Sequence, residues 1–165
     1  MSNDNREDGE TKLYEMIDDI KIAMLTTVEP GGMLHTRPMA NQEADDQGDI
    51  WFFTEKNGAI ASELSANSQV SLGYSNGSGT YVAVSGTGEM VHDRGKISEK
   101  WTEDNKAWFP NGKDDPNLAL LRVTPDRGEF WDFNSSTIVS AVAYVRAKIA
   151  GEPGDDLGDN RKVQL

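Results

Sequence analysis

Ile22-Ala-Met-Leu-Thr-Thr-Val28, Glu29-Pro-Gly-Gly32, Met33-Leu-His-Thr-Arg-Pro-Met39, Asp45-Asp-Gln-Gly-Asp49 and Ile50-Trp-Phe-Phe-Thr54 form the run whose reading decides the fold. It reads strand, turn, strand, turn, strand. Pro30 presets φ and precedes two glycines that tolerate positive φ, and the acidic run containing Gly48 serves the second reversal. The pattern therefore predicts two adjacent hairpins, a meander. Along its middle strand His35, Arg37 and Met39 share one face and Leu34, Thr36 and Pro38 the other. Pro38 has no N–H to give to a ladder, which predicts an edge or a bulge there, where a ligand can meet unpaired backbone groups.

On the N-terminal side, residues 1–10 are polar and predicted to be a disordered tail; Thr11 caps a short helix to about Asp19, with Leu13, Met16, Ile17 and Ile20 at helical spacing. On the other side, Lys56-Asn-Gly58 is a turn and Ala59 to Ala66 a short helix with Ile60 and Leu64 facing in. Gln69 to Tyr74 and Thr80 to Ser85 are strands joined by the turn Asn76-Gly77-Ser-Gly79, and the second resumes as Glu89 to His92 after glycines that suggest a bulge. One or two helices are expected between Arg94 and Trp108, then a loop from Phe109 to Pro116. Two strands follow, Leu118 to Thr124 and Gly128 to Phe133, parted by the turn Pro125-Asp-Arg127. Val139, Val142, Val145 and Ile149 predict a helix from Ser136 to Ile149. The expectation is one mainly β domain over 11–150, a β-barrel with peripheral helices, followed by an acidic flexible tail over 151–165.

Composition narrows the function. The 165 residues contain no cysteine and two histidines, which excludes a disulfide framework, a thiolate zinc site, a cysteine nucleophile and a histidine-rich metal site. Twenty-eight acidic against 16 basic residues give a net charge of −12, so neither nucleic acid nor an anionic membrane is an expected partner. No stretch approaches the ~18 apolar residues of a membrane span. The first residues lack the basic and apolar regions of a signal peptide, so a cytoplasmic location is expected. A small anionic ligand would need a local cluster of bases.

His35-Thr-Arg37-Pro-Met39 followed by Trp51-Phe-Phe-Thr54 resembles the opening motif of the FMN-binding split-barrel superfamily, the antiparallel, Greek-key type fold of pyridoxamine 5'-phosphate oxidase. The later series Tyr81-Val-Ala-Val-Ser-Gly86, Trp108-Phe-Pro110, Asp114-Asp-Pro-Asn117 and Glu129-Phe-Trp131 resembles the general stress protein branch in order and spacing. The similarity spans roughly residues 10 to 135. It implies a homodimer with an FMN cleft at the subunit interface, a small-molecule redox partner, and an oxidoreductase of unknown substrate. The alternatives are a non-enzymatic flavin-binding or stress-response protein, and a degenerate barrel that binds a deazaflavin or no cofactor.

By the same resemblance Arg37 takes the place of the FMN-contacting arginine, flanked by Pro38 and Met39. A guanidinium fork suits a phosphate; the competing view is an arginine paired with an acid. Phe53 and Thr54 match the pair lining the flavin, Tyr81 a flavin-edge position, and Trp131 a tryptophan reaching in from the other subunit. Two departures stand out. The family's Ser-x-Lys at the helix start is Gly58-Ala59-Ile60 here, which leaves Lys56, Asn57 and helix-opening N–H groups for the phosphate and implies weak FMN binding. The basic substrate-binding run after the tryptophan is Asp132-Phe-Asn-Ser-Ser136, which implies no competence as a pyridoxamine-phosphate oxidase. No residue stands out as catalytic, and no metal is expected.

Overall fold

The computed structural model describes residues 3–133 and 159–165. The predicted meander is present as β1 (Ile22–Val28), β2 (Leu34–Gln42) and β3 (Ile50–Glu55). At the first reversal Gly31 and Gly32 take φ of 111° and 92°, values that the absence of a Cβ permits. The helix α2 (Ala59–Ala66) then crosses one end of the barrel, and β4 (Gln69–Ser75) returns to lie against β1 rather than β3. The spatial order β4-β1-β2-β3 is a Greek key. β5 (Thr80–Val91) and β6 (Leu118–Asp132) continue the sheet, and the pairing of β3 with β6, from Ile50 opposite Val123 to Glu55 opposite Leu118, closes a six-stranded antiparallel barrel.

Side-chain alternation sorts the three consecutive aromatics of β3. Phe52 enters the barrel interior with Leu25, Leu72, Val84, Leu121 and Phe130. Trp51 and Phe53 point outward into a second cluster with Ile97, Leu118 and Leu120, covered by Trp101 and Phe109. That cover comes from the residues that follow α3 (Arg94–Lys100) and a 3-10 turn (Glu103–Ala107). Phe53 and Trp101 meet edge to face at 5.4 Å between ring centroids.

Three sequence expectations are corrected. The N-terminal helix, α1, runs Asn3–Ile20, so helix replaces most of the tail expected over 1–10. Leu13 and Ile17, each 0% exposed, anchor it over the barrel. The expected turn at Pro125-Asp-Arg127 does not divide two strands: β6 runs through it, because Ser85 pairs with Arg127 and Gly86 with Pro125, leaving Asp126 as the extra residue of a bulge. A Cβ on Gly86 would stand 2.2 Å from the Thr124 carbonyl oxygen, so the bulge needs glycine. The tail expected over 151–165 ends in a strand, β7 (Asp159–Gln164), paired antiparallel with β6 from Arg127 to Asp132. Val163, 6% exposed, joins the core and Leu165 packs against it. The expected helix over 136–149 lies outside the described residues. No helix among the described residues is long and apolar enough to cross a membrane.

Candidate functional site

β2 pairs with β3 only through Asn41 and Gln42, so its edge from Leu34 to Ala40 has no strand neighbour on that side. Pro38 lies on this open edge, as its missing N–H predicts. The gap is bounded on its far side by the residues that follow the 3-10 turn. Between them lies a cavity of about 360 Å³ lined by Ile22, Pro38, Met39, Ala40, Gln42, Phe53, Asn105, Trp108 and Phe109. Its size and mostly apolar wall are those of a small-molecule pocket. None of these side chains is ionisable. Of the residues singled out from sequence, the fold brings Pro38, Met39 and Phe53 together here. Asn105, Trp108 and Phe109 were not foreseen as lining, because a loop and a 3-10 turn far along the chain carry them.

Arg37 faces away from Pro38, across β2. Its Nη2 lies 2.5 Å from Oε2 of Glu63 and its Nη1 donates to Oγ1 of Thr27 at 2.7 Å. His35 Nδ1 lies 2.8 Å from Oε1 of the same carboxylate, Arg37 Nη2 is 2.5 Å from that ring nitrogen, and Thr27 Oγ1 donates to Oε2 at 2.5 Å. Burial by itself raises the Glu63 carboxyl; hydrogen bonds from Thr27, His35 and Arg37, with the charge of Arg37, outweigh it and hold the group below its ordinary value. Arg37 is thus engaged by an internal carboxylate on α2, in a closed group with one positive and one negative charge at its centre. Glu29, His35 and Glu63 bring ligand atoms within 4.8 Å of one another, a spacing a metal would accept, but the Arg37 guanidinium already sits among them and opposes a cation.

The remaining sequence candidates lie elsewhere on the barrel. Thr54 is 7% exposed, opposite Ala119. Lys56 and Asn57 are exposed on the turn before α2, where the Lys56 N–H donates to the Asn117 carbonyl. Ile60, at the position of the missing lysine, is 7% exposed and belongs to the barrel core. Tyr81 pairs across strands with Trp131, and its ring meets Phe133 edge to face. Neither residue lines the cavity. Sequence reasoning missed Glu63; the signal was an acid on the inward face of a short amphipathic helix, opposite a strand with an inward arginine.

A second cavity, about 480 Å³, is lined by Asp45, Asp49, Trp51, Lys96 and Arg122 among others. Several of its charges are met internally. Lys96 and Arg122 lie over the Trp51 ring, Asp45 accepts from Trp51 Nε1, and Arg122 pairs with Glu89.

The outer face of β1 and β2 is uncharged: Ile22, Met24, Thr26 and Val28 alternate outward on β1, beside Ala40, Pro38, Thr36 and Leu34 on β2. Ile22, Met24 and Leu34 are 45%, 46% and 71% exposed.

The family model described as pyridoxamine 5'-phosphate oxidase like matches residues 8–155. General stress protein 26 of Bacillus subtilis (strain 168) is 32% identical over 141 residues, covering 82% of this chain and 97% of its own. Among solved structures, a general stress protein 26 type chain from Jannaschia sp. CCS1 superposes with a TM-score of 0.72 at 28% identity, covering 96% of this chain and 99% of that one. The general stress FMN/FAD binding protein of Xanthomonas citri gives 0.65 at 32% identity, covering 76% and 89%.

Proposed function

We propose that this chain, which belongs to the pyridoxamine 5'-phosphate oxidase-like family, is an FMN-binding flavoprotein of the general stress protein type, a flavin-dependent oxidoreductase acting on a substrate other than pyridoxamine phosphate. The observation that carries the reading is the convergence of Pro38, Met39 and Phe53 with Trp108 and Phe109 on one apolar cavity beside an unpaired strand edge. A flat aromatic ring asks for such walls. The name of the Xanthomonas citri relative, which specifies FMN/FAD binding, supports the same ligand class.

The two ends of FMN are met unequally. The apolar lining of the cavity suits the ring end. At the phosphate end Arg37 is engaged by Glu63 and Ile60 replaces a cation, so Lys56, Asn57 and the first N–H groups of α2 would hold the anion. Weak FMN binding is the consequence. Bound flavin would supply the hydride-accepting chemistry, and the chain's part is to hold the ring, orient it and exclude water. Where the oxidase has a basic substrate-binding run after the tryptophan, this sequence has Asp132-Phe-Asn-Ser-Ser136, which offers a B6 phosphate no cation.

A binding-only role is the second reading, favoured by the absence of any ionisable side chain among the cavity's lining residues. One series separates the two: absorbance of the protein titrated with FMN, followed by anaerobic NADH or NADPH. Saturable FMN binding with bleaching supports the oxidoreductase. Binding without bleaching by any donor supports the second reading, and no spectral change on titration removes both.

The reading includes a homodimer in the cytoplasm. In a chain of net charge −12, the uncharged outer face of β1 and β2 is the surface that a second copy would cover, and its exposed Ile22, Met24 and Leu34 suit an isologous contact. Of the other apolar residues that such a contact could use, Trp51, Phe53 and Trp101 are packed within the chain, whereas Trp108 is 71% exposed. Sedimentation velocity is expected to give a dimer, and Met24→Glu a monomer.

A further inference from the structure

Three asparagines are followed directly by glycine: Asn57-Gly58, Asn76-Gly77 and Asn111-Gly112. All three are exposed to water. A glycine in that place leaves the next backbone nitrogen unshielded by a side chain, so it can reach the asparagine carboxamide carbon. The nitrogen gives up its proton and bonds to Cγ, the Cγ–Nδ2 bond breaks, and ammonia leaves with the proton, closing a cyclic imide. Water then opens the ring to aspartate or isoaspartate. In sum, one carboxamide and one water become one carboxylate and one ammonium ion.

The dipeptide alone ranks the three alike; the fold does not. In each pair the glycine N–H is hydrogen bonded, to the Glu55 carbonyl at 3.2 Å, to Ser75 Oγ at 3.2 Å and to the Phe109 carbonyl at 3.0 Å, so the attacking nitrogen does not separate them. The carboxamides do. Asn76 Oδ1 accepts from the N–H groups of Ser78 and Thr80 at 2.9 and 3.0 Å, and Asn111 Nδ2 donates to Asp115 Oδ2 at 3.2 Å. Each of these side chains must give up its bonds before Cγ can turn toward the backbone. Among the described residues nothing hydrogen bonds to the Asn57 carboxamide, which is free to turn. Glu55 Oε2 stands 3.7 Å from the point that a Cβ on Gly58 would occupy, which sets a carboxylate base beside that glycine.

We propose that Asn57 is a spontaneous modification site: it deamidates ahead of Asn76 and Asn111, and the new carboxylate weakens binding of an anionic ligand at the start of α2. Residue 57 directly precedes Gly58, the N-cap of that helix. A carboxylate there suits the positive end of the helix, so the folded product persists. It also joins Glu55 in flanking Lys56, and like charge opposes a phosphate at that point. The effect on ligands rests on the flavin reading above, which puts the phosphate there; the site of modification stands without it.

The purified full-length protein is held in warm, mildly alkaline buffer, once folded and once in urea, and sampled by peptide mapping with mass spectrometry. In the folded protein Asn57 is expected to convert several times faster than Asn76 and Asn111, and in urea the three are expected to convert alike. Equal rates in the folded protein, or faster conversion at Asn76 or Asn111, overturn the site. A ranking that persists unchanged in urea belongs to the local sequence and overturns the role of the fold. The consequence is read separately, on Asn57→Asp titrated with FMN and with riboflavin. Its FMN affinity is expected to fall severalfold from that of wild type and its riboflavin affinity to stay the same. Equal losses for the two ligands, or no loss for either, overturn the effect on anion binding and leave the site of modification in place. Binding of neither ligand by wild type overturns the flavin reading and, with it, that effect alone.

Discussion

The inward arginine and the cavity sit on opposite sides of β2 and meet their polar needs in opposite ways. Around Arg37 the carboxylate of Glu63 takes hydrogen bonds from Thr27 and Arg37, with His35 on its other oxygen. In the cavity, Asn105 and Gln42 are paired amide to amide, and no charged group takes part. The first group is a buried ion pair that holds α2 to β1 and β2. The second is an uncharged surface. The arginine that suggests ligand binding in the sequence is paired here with a carboxylate of the fold, while two amides that the sequence does not single out line the pocket.

The comparison can be broken first at the ion pair. Replacing Glu63 by Ala leaves a largely buried guanidinium without its partner, and urea unfolding is expected to show a loss of about 3–5 kcal/mol. A loss below about 1 kcal/mol would mean that Arg37 is solvated and available to ligands. The pH dependence follows with a definite sign. Because the folded-state Glu63 carboxyl lies below its ordinary value of 4.5, its contribution is complete above about pH 4.5 and fades as pH falls through the lower folded value. The stability gap between wild type and Glu63→Gln is therefore expected to be constant from pH 7 to 5 and to close on further acidification, as followed by circular dichroism at fixed urea.

Ligand selectivity tests the other half. With Arg37 engaged, the phosphate of FMN should add less than about tenfold over riboflavin, under 1.4 kcal/mol; a hundredfold advantage in parallel titrations would show that the arginine leaves Glu63 for the ligand. The smallest effect expected is on stability at Trp108. This residue is 71% exposed, so Trp108→Ala should change unfolding free energy by no more than about 0.5 kcal/mol while weakening flavin binding severalfold.

Much of the barrel is legible in the sequence. Alternating hydrophobicity and turn chemistry located β1 to β5, Pro38 marked the open edge, and the glycines of β5 announced a bulge. What stayed hidden depends on partners distant in sequence. Pro125-Asp-Arg127 has the residues of a turn, yet a glycine on the neighbouring strand lets it pass as an irregularity within one strand. Asp159 to Gln164 looks like the end of an acidic tail until the unpaired side of β6 is known. The site was half legible: the walls contributed by β2 and β3 were read from motif, whereas Glu63, Asn105 and Trp108 reach their places through tertiary packing.

The short strand at the C-terminal end has a role beyond adding length to the sheet. β6 gives the first half of its second side to β3 and the rest, from Arg127 to Asp132, to β7. Cutting the chain before Asp159 would strip those backbone donors and acceptors of their partners, next to a Gly128 whose Cβ position lies 2.4 Å from Leu13 and 3.2 Å from Leu165. A bare, flat sheet margin of that kind invites the same segment of a neighbouring molecule to stick to it, so the last residues act as a guard against aggregation.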